Sequence, residues 1–337
     1  MNKKRIIFCI VIMFLLLNTQ ALAQTILRVS TWGGAYQQCY EADINEFEKE
    51  NNVRVEWVLG DDMSVNVRAR LGELDVVTTD LVNSLMGERE GLWAVLDETK
   101  IPNMANLVDI AKYSKYTIFS NASDIGLAYN SKYVDPTPTS WDVMWDPAYK
   151  NRVAIMSFIG SSTTSLIVLL AEQRGGGVDN IDPGLNKLVE LYKSGNLIGM
   201  VASNAEMQSL LEMEETWIGV FTAGRVLGLQ KSGFDFIKFA RPKEGTFGMI
   251  STLNVPKATE KLDLAMKFVN HVLSPKVQET FAERLMYSPT VNNAYIPPEL
   301  EGVLLSVKDI NRLFIPDWIA VNKVKEEWAE RWDRLIH

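Results

Sequence analysis

Histidine is almost missing: His271 and His337 are the only two in 337 residues. So small a supply nearly excludes a His-based metal centre or a Ser-His-Asp triad. Cysteine is as scarce, with Cys9 and Cys39 alone. Cys9 lies in an N-terminal apolar run, so a chain cleaved after that run has one thiol and no internal disulfide, whatever its compartment. Cys39 shares a helical stripe with Tyr36 and Phe47 and is expected as a buried structural thiol. No basic run suits a phosphate backbone, so no nucleic-acid partner is expected. After residue 23 no stretch approaches 18 apolar residues, so no transmembrane helix is expected either. No internal repeat or low-complexity tract occurs, and no cofactor or metal is implied.

What is present begins with a leader. Lys3, Lys4 and Arg5 precede an unbroken apolar run over residues 6–17, and Ala21-Leu22-Ala23 precedes Gln24. This is the pattern of a cleavable secretory signal peptide over residues 1–23. Losing its three cations from the 34 basic residues leaves 31 against 42 acidic ones, a net charge of −11. At 47% hydrophobic and 23% charged, the remainder has an ordinary globular composition, and its length points to two domains.

The chain alternates strand and helix patterns. Residues 27–38 read LRVSTWGGAYQQ: alternating apolar positions, then Trp32, Gly33 and Gly34, then a helical stripe. That stripe predicts one helix over residues 36–50, ended by Asn51-Asn52. Val53, Val55 and Trp57 alternate as a strand, and Asp61-Asp62 cap a further helix. Residues 74–80, LDVVTTD, read as a buried strand with a polar end. Residues 135–147 form a proline-punctuated connection with Ser140 as an N-cap. Strands follow at residues 152–156 and 217–221, with helices after each. The glycines at 175–177 follow a helix and read as a turn, not a phosphate cradle. Ser274-Pro275 opens a late helix, and Trp318, Val321, Val324, Trp328 and Leu335 line a terminal one. The alternation predicts an α/β fold with a largely parallel sheet.

Six phrases in order carry a family resemblance: STWGGAY, EGLWAVLDETKIPN, PTSWDVMWDPAYKNRVAI, WIGVFTAGR, RPKEGTFG and YSPT. Together they resemble the periplasmic solute-binding proteins of bacterial ABC importers, in the branch that includes spermidine/putrescine-binding proteins. The resemblance implies a two-lobed, type II-like fold with a ligand cleft between lobes. Crossings are expected near Tyr129-Asn130 and Leu253 to Val255, giving lobe one over 24–129 and 254–337 and lobe two over 130–253. It also implies a monomer with two partners, a small-molecule solute and an inner-membrane ABC permease, and no enzyme activity. A secreted enzyme and a receptor feeding a sensor kinase are the alternatives.

In open α/β sheets, ligands sit beyond the carboxyl ends of strands. Trp32 then offers a flat face, Gly33 and Gly34 a close backbone approach, and Tyr36 a neighbouring ring. Thr79 and Asp80 end a strand in the same way. Polyamine-binding relatives meet ammonium groups with carboxylates, but residues 157–165, SFIGSSTTS, and residues 248–252, GMIST, contain none. Ser161, Ser162 and Thr163 instead open a helix with hydroxyls, which suits an anionic group. Arg225 offers a bidentate clamp for a carboxylate or phosphonate. Thr222 and Phe247 complete the expected contacts. The expectation is a receptor for an anionic or zwitterionic organic solute, with a strict polyamine receptor as the alternative.

Overall fold

The computed structural model describes residues 24–336 apart from 61 and 159. The expected signal peptide, with Cys9, and the capping residue Asp61 lie outside the described residues. β1 (Thr25–Thr31) is followed by α1 (Ala35–Glu41) and α2 (Ile44–Asn51), then β2 (Val53–Leu59). The single helix expected here is two, broken at Ala42-Asp43. Asp43 leaves the helical path, ion-pairs with Lys276 at 2.9 Å and accepts a hydrogen bond from the Thr280 hydroxyl at 2.7 Å. Asn52 closes α2 in the left-handed region, as the sequence indicated.

α3 (Asp62–Arg70), β3 (Val77–Asp80) and α4 (Leu81–Arg89) follow, then the 13-residue strand β4 (Ile118–Asn130). Next come β5 (Val153–Met156), α5 (Ser161–Glu172), α6 (Asp182–Ser194), β6 (Leu197–Val201), α7 (Asn204–Glu212), β7 (Ile218–Thr222) and α8 (Ala223–Lys231). The chain ends with β8 (Ile237–Ala240), β9 (Phe247–Asn254), α9 (Leu262–Val272), α10 (Pro275–Leu285), β10 (Ser288–Pro289), α11 (Val307–Ile310) and α12 (Trp318–Ile336).

The fold is α/β and two-lobed, but its larger sheet is mixed. β1–β2, β5–β6 and β5–β7 pair in parallel. β4 pairs antiparallel with β7, β8, β9 and β10, and β3 antiparallel with β9. The departure has a simple cause. β4 carries the chain from one lobe to the other, β9 carries it back, and strands that cross in opposite directions pair antiparallel.

Two hydrophobic cores locate the crossing. Ile118, Phe119 and Ala122 of β4 belong to the first core, while Ile125, Leu127 and Tyr129 belong to the second. On β9, Ile250 and Leu253 pack in the first and Phe247 in the second. The strands thus pass between the lobes at Ser123-Asp124 and Gly248-Met249, several residues from the expected positions, and Ser123 faces Met249 in register. The terminal helix also departs from expectation. Trp318, Val321, Trp328 and Trp332 of α12 lie in the second core, with Trp332 stacked on Phe158 at 5.4 Å. The chain therefore crosses a third time near Phe314, whose carbonyl accepts from Gly248 N at 3.1 Å.

A buried ion pair ties the crossing down. Arg241 Nε donates to Asp124 Oδ2 at 2.8 Å, and its remaining donors reach the carbonyls of Gly302 and Val303 at 2.7 and 2.6 Å. Burial pushes the Asp124 carboxyl above its ordinary value, and the Arg241 charge offsets only part of that.

Candidate functional site

A cavity of about 580 Å³ opens where β4 and β9 cross. Its floor is Ser123 and Met249. The second lobe contributes Asn204 and Gln208 from α7, Thr222 at the end of β7, and the α8 positions Gly224, Arg225, Gly228 and Lys231. These α8 positions share one face because they recur at three- and four-residue spacing. The first lobe contributes Glu283, Arg284, Met286 and Tyr287, where α10 ends.

Tyr287 is the aromatic residue of the first-lobe lining, and an aromatic assembly backs it. The Tyr36 ring meets Trp32 at 4.8 Å, Phe281 at 4.8 Å and Tyr287 at 6.0 Å, all edge-on. The Tyr36 hydroxyl accepts from Asn121 Nδ2 at 2.8 Å. Burial raises the Tyr36 pKa against the opposing effect of side-chain hydrogen bonds to Ser251, Asn121 and Ser120. Tyr287 is pushed up to about 12, first by burial and then by Tyr36, while the positive charge of Arg225 pulls it down. Arg225 on the second lobe is therefore within electrostatic reach of a first-lobe phenol.

Charge sorts the cavity from the rest of the molecule. The whole chain carries a net charge of −8. The cavity is lined by Arg225, Lys231 and Arg284 against Glu283 alone. None of these four forms an ion pair among the described residues. Arg284 donates one N–H to the Gln38 carbonyl at 3.3 Å. A concave, cationic site raises the local concentration of anions, and its guanidinium groups offer them charge-assisted hydrogen bonds.

The expected site residues divide. Thr222 and Arg225 line the cavity. Trp32 and Tyr36 stand behind its first-lobe wall, and Tyr36 is nearly buried. Gly34 has φ +66° and ψ −136°, a conformation that glycine accepts and other residues avoid. Gly33 has no such demand, since a Cβ there would meet only the Leu59 side chain at 3.6 Å. Thr79 is fully buried, and its carbonyl accepts from the Thr252 hydroxyl at 2.9 Å. Asp80 caps α4, accepting from Asn83 N at 2.8 Å and Asn83 Nδ2 at 3.0 Å.

The hydroxyl cluster turns mostly inward. Ser161 is exposed at the start of α5, but Ser162 and Thr163 are buried, and Thr163 donates to the Met156 carbonyl at 2.8 Å. Phe247 is core: it stacks on Trp141 at 4.9 Å and 9° and is 1% exposed. A side chain spent on core packing in this way has no face left for a ligand.

The model of the bacterial extracellular solute-binding protein family matches residues 83–332. The chain belongs to that family. Among curated relatives, this solute-binding protein is 26% identical over 243 residues to the spermidine/putrescine-binding periplasmic protein of Salmonella typhimurium. That match covers 66% of this chain and 64% of the relative, so it spans less than two thirds of the relative's length. An ABC transporter protein from Clostridium perfringens superposes with a TM-score of 0.82 at 24% identity, over 92% of this chain and 100% of that one. A spermidine/putrescine ABC transporter substrate-binding protein from Streptococcus pneumoniae gives 0.77 at 20%, over 93% and 100%. At these identities the structures establish the fold.

Sequence reasoning missed most of the first-lobe contribution to this cavity. Glu283, Arg284 and Met286 lie at the end of an amphipathic helix and carry no local motif. Tyr287 sat within a phrase of the resemblance, YSPT, without a role. The one available signal was the charged Glu283-Arg284 pair at the end of the helix, separated by Leu285 from Met286, which takes a left-handed turn.

Proposed function

We propose that this chain is the exported substrate-binding component of an ABC importer. It captures a small anionic or zwitterionic organic solute between its lobes and delivers it, as a periplasmic monomer, to an inner-membrane permease. It binds its solute without transforming it. The observation that carries this reading is the two-lobed cavity at the crossing, with Arg225 free to clamp a carboxylate or phosphonate. A polyamine would bring at least two ammonium groups into the cleft, and each desolvated cation needs a facing anion. The cavity supplies Glu283 alone, opposed by three cations. Ligand favours closure only by its extra contacts in the closed state, which both walls provide.

The relatives' names favour a second reading, a strict polyamine receptor. Native mass spectrometry of protein released by osmotic shock separates the two. The expected result is a bound species of anionic or zwitterionic character, on a chain starting at or near Gln24. A bound polyamine, or retention of Met1 on membrane-attached protein, would contradict the proposal.

A further inference from the structure

We infer that the solute carries two negative charges and bridges Arg225 on the second lobe to Arg284 on the first. This inference rests on the receptor reading above and deepens it. The two arginines are brought together by a backbone approach. A Cβ on Gly224 would lie 3.4 Å from the Leu285 carbonyl and 3.5 Å from Met286 Cβ, so the start of α8 abuts the end of α10. Arg225 follows Gly224, Arg284 precedes Leu285, and both side chains line the same cavity. Arg284 gives one N–H to the Gln38 carbonyl, which holds the guanidinium in place and leaves most of its five donors unused. With Lys231 added and Glu283 subtracted, the lining carries two uncompensated positive charges.

Two like charges on opposite walls repel more strongly as the walls approach. The cavity thus opposes its own closure until a ligand neutralises both sides. A monoanion cancels one arginine and leaves the other facing it. A compact dianion cancels both, and its gain is greatest in the closed state, which is the condition for ligand-driven closure. Asn204 lines the same cavity and brings an amide within it, while Gln208 Nε2 already donates to Glu212 Oε1 at 2.7 Å. Dicarboxylates and phosphate monoesters share this chemistry.

The test is calorimetry of the ligand-stripped mature protein with succinate, glycerol 3-phosphate, butyrate and spermidine, on wild type, Arg284→Ala and Arg284→Lys. At least one dianion should bind wild type roughly 10-fold or more tighter than butyrate, as an added charged hydrogen-bonded contact requires. Arg284→Ala should remove most of that advantage by weakening the dianion far more than butyrate, and should melt near the wild-type temperature. Arg284→Lys should restore part of it. Raising salt should weaken the dianion more than butyrate. Equal binding of butyrate and the dianions, unmoved by Arg284→Ala, would overturn the inference and leave the receptor reading intact. Failure of every dianion to bind would also overturn it. Binding of spermidine alone would overturn both.

Discussion

The two walls of the cavity are built on opposite plans. On the first lobe, the rings of Trp32, Tyr36, Phe281 and Tyr287 hold one another edge-on, and the Tyr36 hydroxyl is fixed by Asn121. On the second lobe, Asn204, Gln208, Thr222 and Arg225 face the cavity from the ends of a strand and two helices. The first wall spends its side chains on packing, so it sets shape and rigidity. The second turns polar and charged groups toward the cavity, with Arg225 forming no ion pair among the described residues and Gln208 donating to Glu212 at 2.7 Å; on the proposed reading it sets the chemistry of what binds. Glu283 and Arg284 are the exceptions on the first wall, an exposed charged pair near the end of α10.

If this division is right, substitutions on the first wall should register as stability and those on the second as affinity. Tyr36→Ala removes a ring packed on four others and strands the Asn121 amide. It should cost about 3–5 kcal/mol of unfolding free energy in urea titrations. A loss under about 1 kcal/mol would show that the aromatic assembly is not a structural unit.

The crossing between the walls can be broken in the same way. Arg241→Ala leaves the Asp124 carboxylate buried without its counter-ion and should cost about 3–5 kcal/mol. Arg241→Lys keeps the charge but not the fork to Gly302 and Val303, and should recover only part of it.

A smaller effect sharpens the contrast between lobe and crossing. Asp75 and Asp124 are equally inaccessible, each side chain 1% exposed, yet their acidities move in opposite directions. At Asp75 burial raises the pKa. The backbone N–H of Arg28 at 2.8 Å, the Thr259 hydroxyl at 2.7 Å and the Lys261 ammonium at 3.0 Å outweigh it, so the value falls below 3.8. A lowered folded-state pKa contributes stability that is present above the unfolded value and lost as pH falls through the folded one. At Asp124 the folded value is raised. Its contribution is present at low pH and lost as pH rises through that folded value. Asp75→Asn should therefore flatten the loss of urea midpoint below the ordinary carboxylate range. An unchanged acid limb would mean that Asp75 is not the group responsible.

Much of the scaffold was legible in local pattern. The strand–turn–helix at the chain's first glycine pair, the left-handed cap at Asn52, the Ser140 cap and the tryptophan stripe of α12 all follow from neighbours a few residues away. What escaped depends on distant partners. The break at Ala42-Asp43 is set by Lys276 and Thr280, more than 200 residues on. The second-lobe home of α12 was invisible because a stripe shows that a helix buries one face, not against which core. Phe247, expected as a ligand contact, is stacked on Trp141. Of the residues that line the candidate cavity, the sequence had singled out Arg225 and Thr222, which sit where a strand runs into a helix. It missed Arg284, which enters the cavity only because α10 ends against α8.

The central claim is that Arg225 holds an anionic group of a solute enclosed between the lobes. It is tested most directly by native mass spectrometry and calorimetric rebinding of the co-purified solute, comparing wild type with Arg225→Ala. Arg225→Ala should melt within about 0.5 kcal/mol of wild type, because the side chain is exposed and unpaired. It should lose the solute during purification and rebind it roughly 10- to 150-fold more weakly, the cost of a charged hydrogen bond. Retention of the solute at wild-type affinity would contradict the account. So would a bound polyamine, with Asp80→Asn as the damaging change in place of Arg225→Ala.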